Sequence, residues 1–204
     1  MLNCDEIAKL LSQRSESKRS LLIIPQPDLV EVRSSGASSI DLRLGRWLKA
    51  IKQTRQSEIT LTPTNEAELQ GTVTASIKER EYFVPFGEHF TLHSGRFVLG
   101  VTLEWIRLSS RISGYITGKS SLGRFGLVIE TASGIQPGFN GCLTLELSNV
   151  GEVPLRISPG MKICQVFFFG VRSAAVTKQG SFSGRRKPVV GSPKGDAIID
   201  MLRS

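Results

Sequence analysis

Five residues near the middle of the chain have the side chains of a phosphate-binding turn. Lys119, Ser120, Ser121, Gly123 and Arg124 fall within six consecutive positions. Hydroxyls and exposed backbone amides donate hydrogen bonds to phosphate oxygens, and an arginine can form a two-pronged ion pair with the same group. We therefore predict a turn that holds a phosphate-bearing ligand.

A carboxylate lies further along, in the strand-forming run from Cys142 to Leu147. Glu146 stands between Leu145 and Leu147. A carboxylate on a mostly apolar strand is costly to bury unless it is partnered or used, and burial raises its pKa. Such a glutamate can serve as a general base. A simpler interpretation is that Glu146 faces solvent on an edge strand. Spacing alone favours it, because every second side chain of a strand points outward.

The sequence offers little for a protein-bound metal. His89 and His93 are four residues apart and follow Glu88, but zinc ligation at this spacing needs a helix. The intervening residues suit a strand, and Ser94-Gly95 suits a turn. The zinc deaminase pattern of His-x-Glu with Cys-x-x-Cys is absent from the sequence. We expect no zinc.

Four segments in order resemble one known family. Residues 118–149, with GKSSLGRFGL and PGFNGCLTLELSN, resemble the dCTP deaminases, including the bifunctional dCTP deaminase–dUTPase branch, which are relatives of the trimeric dUTPases. The likeness continues in FTLHSGRFVLGVTLE (90–104) and PLRISPGMKICQVFFF (154–169), and more weakly in SSIDLRLG (38–45). Several dispersed motifs are far more specific than one short pattern.

The resemblance implies a zinc-independent hydrolytic deamination of dCTP to dUTP and ammonia. Glu146 would be the general base that activates water, while Ser120 and Arg124 would orient water and base. Mg²⁺ would be carried by the triphosphate. The substrate-binding residues implied are Lys119, Ser120, Ser121, Arg124, Thr131, Ala132, Ile135, Gln136, Gln165, Arg185, Arg186 and Lys187.

The resemblance also implies a homotrimer with active sites shared between subunits. The C-terminal arm would close over the nucleotide, and GSFSGRRKP (180–188) loosely resembles that lid. Phe182 stands where a tyrosine is usual, so the basic residues 185–187 would have to replace its phosphate contact.

Three departures from the family pattern affect the expected chemistry. The usual turn Ile-Asp-Pro-Gly is here Ile135-Gln136-Pro137-Gly138, and the segment between Gly126 and Thr131 is one residue short. In the dUTPase branch that aspartate activates the hydrolytic water. Gln136 cannot act as a base, which argues against dUTPase activity. Ser133-Gly134 also replaces a bulkier pair.

Three alternatives to dCTP deamination stay open. They are a dUTPase-like nucleotide diphosphatase, a deaminase of a related nucleotide, and a non-catalytic nucleotide-binding module. A nucleic-acid-binding role is less favoured, because the basic stretch from Arg172 to Lys194 contains only Phe182 for base stacking.

Composition indicates an ordinary globular protein. The chain has 204 residues, of which 40% are hydrophobic and 22% charged, and a formal net charge of +8. It has no apolar run of about 18 residues, so we expect no membrane span. The start, MLNCDEIAKLL, lacks the layout of a signal peptide, and the cysteines are three and dispersed. We therefore expect a cytoplasmic protein with free thiols.

The elements that position these residues are predicted to be strands. A short helix is expected within residues 2–14, strands at 21–24 and 39–44 with Trp47 and Leu48 continuing the second, and then β-rich runs between 82 and 169. Turn residues separate these runs every 8–14 positions. This rhythm predicts an all-β fold, and the resemblance implies a dUTPase-like distorted jelly-roll barrel. We expect this domain at 1–171 and a flexible basic arm at 172–204.

Overall fold

The computed structural model describes residues 1–13, 20–51, 79–131, 134–173 and 184–190, and within these residues the chain is mainly β. The strands are β1 (Leu21–Ile24), β2 (Ser39–Arg43), β3 (Trp47–Ile51), β4 (Glu79–Phe83), β5 (Phe90–Leu92), β6 (Phe97–Leu108), β7 (Ile112–Gly118), β8 (Leu127–Ile129), β9 (Gly134–Ile135), β10 (Asn140–Asn149), β11 (Leu155–Ile157) and β12 (Lys162–Gly170). The helices are α1 (Cys4–Ser12), α2 (Leu29–Ser34) and α3 (Ser120–Gly123).

The strands of the described residues form two larger sheets and one small sheet. The larger, six-stranded sheet has the order β4-β3-β6-β10-β8, with β1 also paired to β6. Strand β6 is twelve residues long, so β1 and β3 pair with its two ends along the same edge. The second sheet has the order β2-β12-β7-β9, and β11 pairs with β5. The predicted all-β fold is confirmed.

Alternating side chains build the core between the sheets. In β2, Ile40 and Leu42 are buried, while Asp41 and Arg43 lie on the opposite, half-exposed face. This is the alternation that the sequence predicts for that segment. The largest fully buried side chain is Phe168 of β12, among the leucines and isoleucines of the other strands.

Helix α1 confirms the expected N-terminal helix with tighter bounds. Asn3 caps it: its side chain accepts a hydrogen bond from the backbone N–H of Glu6, whose carboxylate accepts one from the Asn3 N–H. The apolar face, including Ile7 and Leu10, is buried in the core. The backbone N–H of Leu2 donates to the Phe168 carbonyl at 2.8 Å and so joins the helix to β12.

Three local features differ from the sequence-based expectations. Trp47 and Leu48 do not continue β2 but begin β3 in the other sheet, because the chain crosses between the sheets where the Gly45 N–H donates to the Val101 carbonyl at 2.7 Å. Helix α2 was not expected; the Asp28 side chain caps it. The two-residue strand β9 was not expected either. Residues 52–80, a polar stretch without clear periodicity in the sequence, are described only from residue 79.

The two histidines lie at the two ends of a strand and not on a helix, as expected. His89 and His93 flank β5, so they are not on one face of a helix. No helix within the described ranges is long and apolar enough to cross a membrane.

Candidate active site

The turn at 119–126 connects the two large sheets. Strand β7 ends at Gly118 in the four-stranded sheet, α3 follows, and β8 begins at Leu127 in the six-stranded sheet. A Cβ on Gly118 would lie 3.3 Å from Cβ of Ile129, so the two strand ends pack closely. Gly126 has φ +89°, and a Cβ there would lie 2.6 Å from the Gly151 backbone nitrogen. Glycine at 118 therefore lets the end of β7 lie against β8, and glycine at 126 lets the turn lie against Gly151, which follows β10.

The turn presents its polar side chains to solvent. Ser120, Ser121 and Arg124 are exposed, and the Arg124 N–H donates to the Ser120 carbonyl at 3.1 Å. The sequence-predicted phosphate-binding residues are thus together on one short segment. They are free to approach a ligand from solvent.

Lys119 is held differently from its neighbours. Its ammonium pairs with Asp41 of β2 at 2.5 Å, and the other oxygen of Asp41 lies 3.6 Å from Lys162. Gln165 of β12 lies directly across from Asp41 and accepts a hydrogen bond from the Ser39 hydroxyl at 3.3 Å. Asp41 therefore holds Lys119 to β2, in the sheet whose neighbouring strand β12 carries Gln165.

Glu146 lies on β10 and is only half-buried. Its backbone carbonyl accepts from the Glu130 N–H at 2.9 Å, and its own N–H donates to the Thr131 hydroxyl at 3.2 Å. Leu145 and Leu147 on either side are fully buried in the core. Glu146 therefore points away from the core, on the outer face of the six-stranded sheet, with its backbone fixed from both sides.

The surroundings of Glu146 favour its protonated form. Partial burial raises the pKa of its carboxyl group, and the negative charge of Glu130 raises that pKa further. A carboxylate of raised pKa is a better general base near neutral pH than an ordinary surface glutamate. The interpretation as a simple solvent-facing residue fits this environment less well.

The segment after β8 crosses back to the four-stranded sheet. Thr131 contacts Glu146, and Ile135 pairs with Gly114 of β7 and is buried. Gln136 is exposed beyond it. Ala132, which the sequence also placed in the site, lies outside the described residues.

Residues 184–190 lie against the start of β10. The Gly184 N–H donates to the Asn140 carbonyl at 2.6 Å, and the Cys142 N–H donates to the Arg185 carbonyl at 3.0 Å. The Arg186 guanidinium lies 5.2 Å from the centre of the Trp105 ring. This part of the arm is thus docked on the barrel of its own chain.

Lys187 also contacts the barrel, through an aromatic ring and a carboxylate. Its ammonium lies 3.7 Å from the centre of the Trp47 ring and 2.9 Å from a Glu81 carboxylate oxygen. Arg185, Arg186 and Lys187, with neighbours Gly184 and Val189, line a cavity of about 340 Å³. The contacts described for these basic residues are with Trp47, Glu81, Trp105 and the first residues of β10. Those first residues of β10 lie several positions before Glu146 along the strand. Phe182 lies outside the described residues.

Comparison with known proteins decides the family. The family model for dCTP deaminase-like proteins matches residues 1–171. The chain belongs to the dCTP deaminase-like family. The resemblance drawn from the four sequence motifs is thereby confirmed.

Relatives of this dCTP deaminase-like protein are similar over most of their length. A protein of Corynebacterium diphtheriae named "dCTP deaminase, dUMP-forming" is 40% identical over 158 residues, which are 74% of this chain and 79% of the relative. A protein of the same name from Rhodococcus opacus is 41% identical, covering 74% of this chain and 78% of that one. These names give dUMP as product and do not support the expected dUTP.

A solved structure supports the fold. The crystal structure of 2′-deoxycytidine 5′-triphosphate deaminase from Agrobacterium tumefaciens superposes with a TM-score of 0.54 at 21% identity. The match covers 82% of this dCTP deaminase-like chain but only 46% of that chain. The dUTPase-like barrel expected from the sequence is confirmed at the level of the fold.

Two carboxylates of this dCTP deaminase-like protein were not singled out from its sequence. Asp41 holds Lys119, and Glu130 lies beside Glu146. Alternation in the 39–44 segment places Asp41 on the outer face, but the pairing of β2 with β12 is needed to bring it near β7. Glu130 falls within the β-rich part of the sequence, but nothing in its sequence neighbourhood places it beside Glu146.

The described residues contain no cluster of three or more histidine, cysteine, aspartate or glutamate side chains that could hold a metal ion. The expectation that the site needs no zinc stays a prediction. Buried Cys142, whose thiol has its pKa raised to about 11 chiefly by burial, is a poor metal ligand or nucleophile at neutral pH.

Proposed function

We propose that this protein is a hydrolytic deaminase of dCTP in which Glu146 is the general base. The observation that supports this most directly is the half-buried carboxylate of Glu146, whose pKa is raised and whose backbone is held by hydrogen bonds with Thr131 and Glu130 in the family-matched region. The exposed turn with Ser120, Ser121 and Arg124 supplies phosphate-binding groups on the connection that leads into β8. The names of the relatives agree with this substrate.

The proposed reaction needs only water and one proton carrier. Glu146 takes a proton from water, whose oxygen bonds to C4 of the cytosine ring. The tetrahedral intermediate then receives this proton on the exocyclic nitrogen, the C4–N bond breaks, and ammonia leaves. The proton of the new C4 hydroxyl passes to N3, so the ring keeps the oxygen as the uracil carbonyl and gains its N3–H, and the carboxylate of Glu146 is regenerated.

The phosphates are recognised separately from the base in this proposal. Arg124 forms the two-pronged contact, and the hydroxyls of Ser120 and Ser121 donate to phosphate oxygens. Mg²⁺ arrives bound to the triphosphate as part of the substrate. Lys119 contributes positive charge nearby but remains paired with Asp41.

The product that leaves the enzyme is either dUTP or dUMP. We propose dUTP, because Gln136 is an amide at the position where the bifunctional branch has an aspartate, and an amide cannot activate a water for phosphoanhydride hydrolysis. The second candidate is direct release of dUMP and pyrophosphate, which the names of the relatives favour.

A product assay tests both parts. Protein with Mg²⁺ is incubated with dCTP, CTP, dCMP or dUTP, and ammonia, pyrophosphate and the nucleotides are quantified by chromatography. We expect ammonia and dUTP from dCTP alone. Pyrophosphate and dUMP would replace our product by the second candidate, and the absence of ammonia from every nucleotide would refute the deaminase.

We also propose a homotrimer with active sites between subunits. The exposure of Ser120, Ser121 and Arg124 in the single chain supports a site that a second copy completes. Light scattering coupled to gel filtration should give three times the chain mass of 22.3 kDa. A monomeric mass in a preparation that deaminates dCTP would refute this arrangement.

A further inference from the structure

Two glutamates occupy neighbouring positions across a strand pair. Strands β8 and β10 are antiparallel, with Ile129 opposite Leu147 and Val128 opposite Ser148. The next position in this register sets Glu130 opposite Glu146, and the hydrogen bond from the Glu130 N–H to the Glu146 carbonyl, 2.9 Å, shows that the pairing continues there.

The two side chains lie on the same face of the sheet. Directly opposed residues of an antiparallel pair point to one side, with Cβ atoms about 4.5–5.5 Å apart. Ile129 and Leu147, one position away, face the core, so both glutamates face outward. Like charges in this arrangement are destabilising.

Within the ranges that the structure describes, neither carboxylate has a lysine or arginine within ion-pair distance. The pair also differs in exposure, because Glu130 is exposed whereas Glu146 is half-buried. Water solvates the charge of Glu130, whereas partial burial raises the pKa of Glu146, which therefore holds a proton more readily than an ordinary surface glutamate.

Other groups facing Glu146 are more distant or uncharged. On the β6 side its direct neighbour is Leu99, and β3 places Lys49 beyond that leucine in the same row. The Lys49 ammonium is paired with Glu79 at 2.6 Å. Lys49 is two strand spacings from Glu146, about 10 Å, whereas Glu130 is on the adjacent strand. Glu130 is therefore the dominant charge on Glu146 among the described residues.

We propose that Glu130 is a positioning residue of the reaction, whose negative charge across the β8–β10 pair makes Glu146 accept the proton of the attacking water more readily. This inference rests on the proposed deaminase function. Glu130 does not touch the substrate in it. It acts through Glu146, and it sets the pH range over which the base is ionised and the rate that the base supports.

The test is a pH–rate profile of kcat/KM for dCTP in wild type, Glu130→Gln and Glu130→Lys. Removing the negative charge stabilises ionised Glu146, so the acidic limb should move to lower pH, and further for lysine than for glutamine. The ratio of kcat/KM at pH 5 to that at pH 7.5 should rise about twofold or more in Glu130→Gln. The plateau rate should fall, because the base is weaker.

The matched control is Glu88→Gln, which removes an exposed carboxylate from the turn before β5 and should leave the profile unchanged. Thermal melts establish that each variant is folded. A carbon-13 NMR titration of the Glu146 carboxyl, assigned with Glu146→Gln, adds a readout that needs no turnover. Its midpoint should move to lower pH in Glu130→Gln and not in Glu88→Gln.

Two results would count against the inference in different ways. If wild type releases ammonia from dCTP but the acidic limb and the Glu146 titration stay in place in Glu130→Gln, the role of Glu130 is refuted and the deaminase stands. If wild type releases no ammonia from dCTP, the proposed function falls, and the role of Glu130 in it falls as well.

Discussion

Replacing Glu146 with glutamine should lower kcat for dCTP deamination by about 10³-fold while leaving dCTP binding nearly intact. General acid–base catalysis by a positioned side chain typically contributes 10²–10⁴-fold, and in the proposed mechanism Glu146 both takes the proton from water and returns it to the leaving nitrogen. Glutamine keeps the shape of the side chain but cannot accept that proton.

Binding should be retained because the contacts with phosphate come from other residues. The backbone hydrogen bonds of Glu146 to Glu130 and Thr131 do not involve its carboxylate, so the variant keeps β10 and β8 in register. Isothermal titration of Glu146→Gln with dCTP and Mg²⁺ should give a Kd within about threefold of the wild-type KM for dCTP, since wild type turns dCTP over. Loss of binding together with activity would indicate a structural role instead.

The control for this variant is Glu152→Gln, an exposed glutamate in the turn after β10. It changes the net charge by the same amount and should leave kcat unchanged. Normal turnover by Glu146→Gln would rule out Glu146 as the base. Glu130 would then be the next carboxylate to test, because it lies on the same face.

Strand periodicity predicted the fold well because the buried residues repeat every second position. Ile40 and Leu42 are buried and Asp41 is not, as the alternation required. Trp47 was placed wrongly because nothing local indicates that the chain leaves one sheet after Leu44 and joins another. That change depends on the pairing of residue 45 with Val101, more than fifty positions away.

The candidate site was predictable where its residues are adjacent in sequence. Ser120, Ser121 and Arg124 occupy one turn, as expected from their spacing. The pairing of Glu130 with Glu146 was not predictable, because the register of β8 against β10 depends on a connection that passes through β9 in the other sheet. The alternation rule gives a face to each glutamate but does not set the two opposite each other.

The docking of the basic arm could not be predicted for a similar reason. The composition of residues 172–204 predicts an arm that does not pack by itself, since it is rich in small, polar and basic residues, with Gly, Ser and Pro. In the described part, Arg186 and Lys187 contact Trp105 and Trp47, which belong to strands far from the arm in sequence. The role of these residues in substrate binding stays a prediction.

Replacing Arg124 with alanine should lower kcat/KM for dCTP by about 100-fold, equivalent to about 2.7 kcal/mol. The loss should appear both as a higher KM and as a lower kcat, because Arg124 is proposed to bind phosphate and to orient the reacting groups. Arg124 is exposed and only its backbone N–H is used in the turn, so the fold should be preserved. Steady-state kinetics with Mg²⁺–dCTP measures both parameters.

Arg124→Lys distinguishes charge from geometry at this position. A lysine keeps the positive charge but loses the planar two-pronged donor, so it should restore only part of the activity. Arg33→Ala, which removes an exposed arginine from α2, is the matched charge control and should be neutral. If Arg124→Ala retained both KM and kcat, the 119–124 turn would not be the phosphate-binding segment. The basic residues 185–187 would then be the remaining predicted phosphate contacts, and their removal would be expected to raise KM instead.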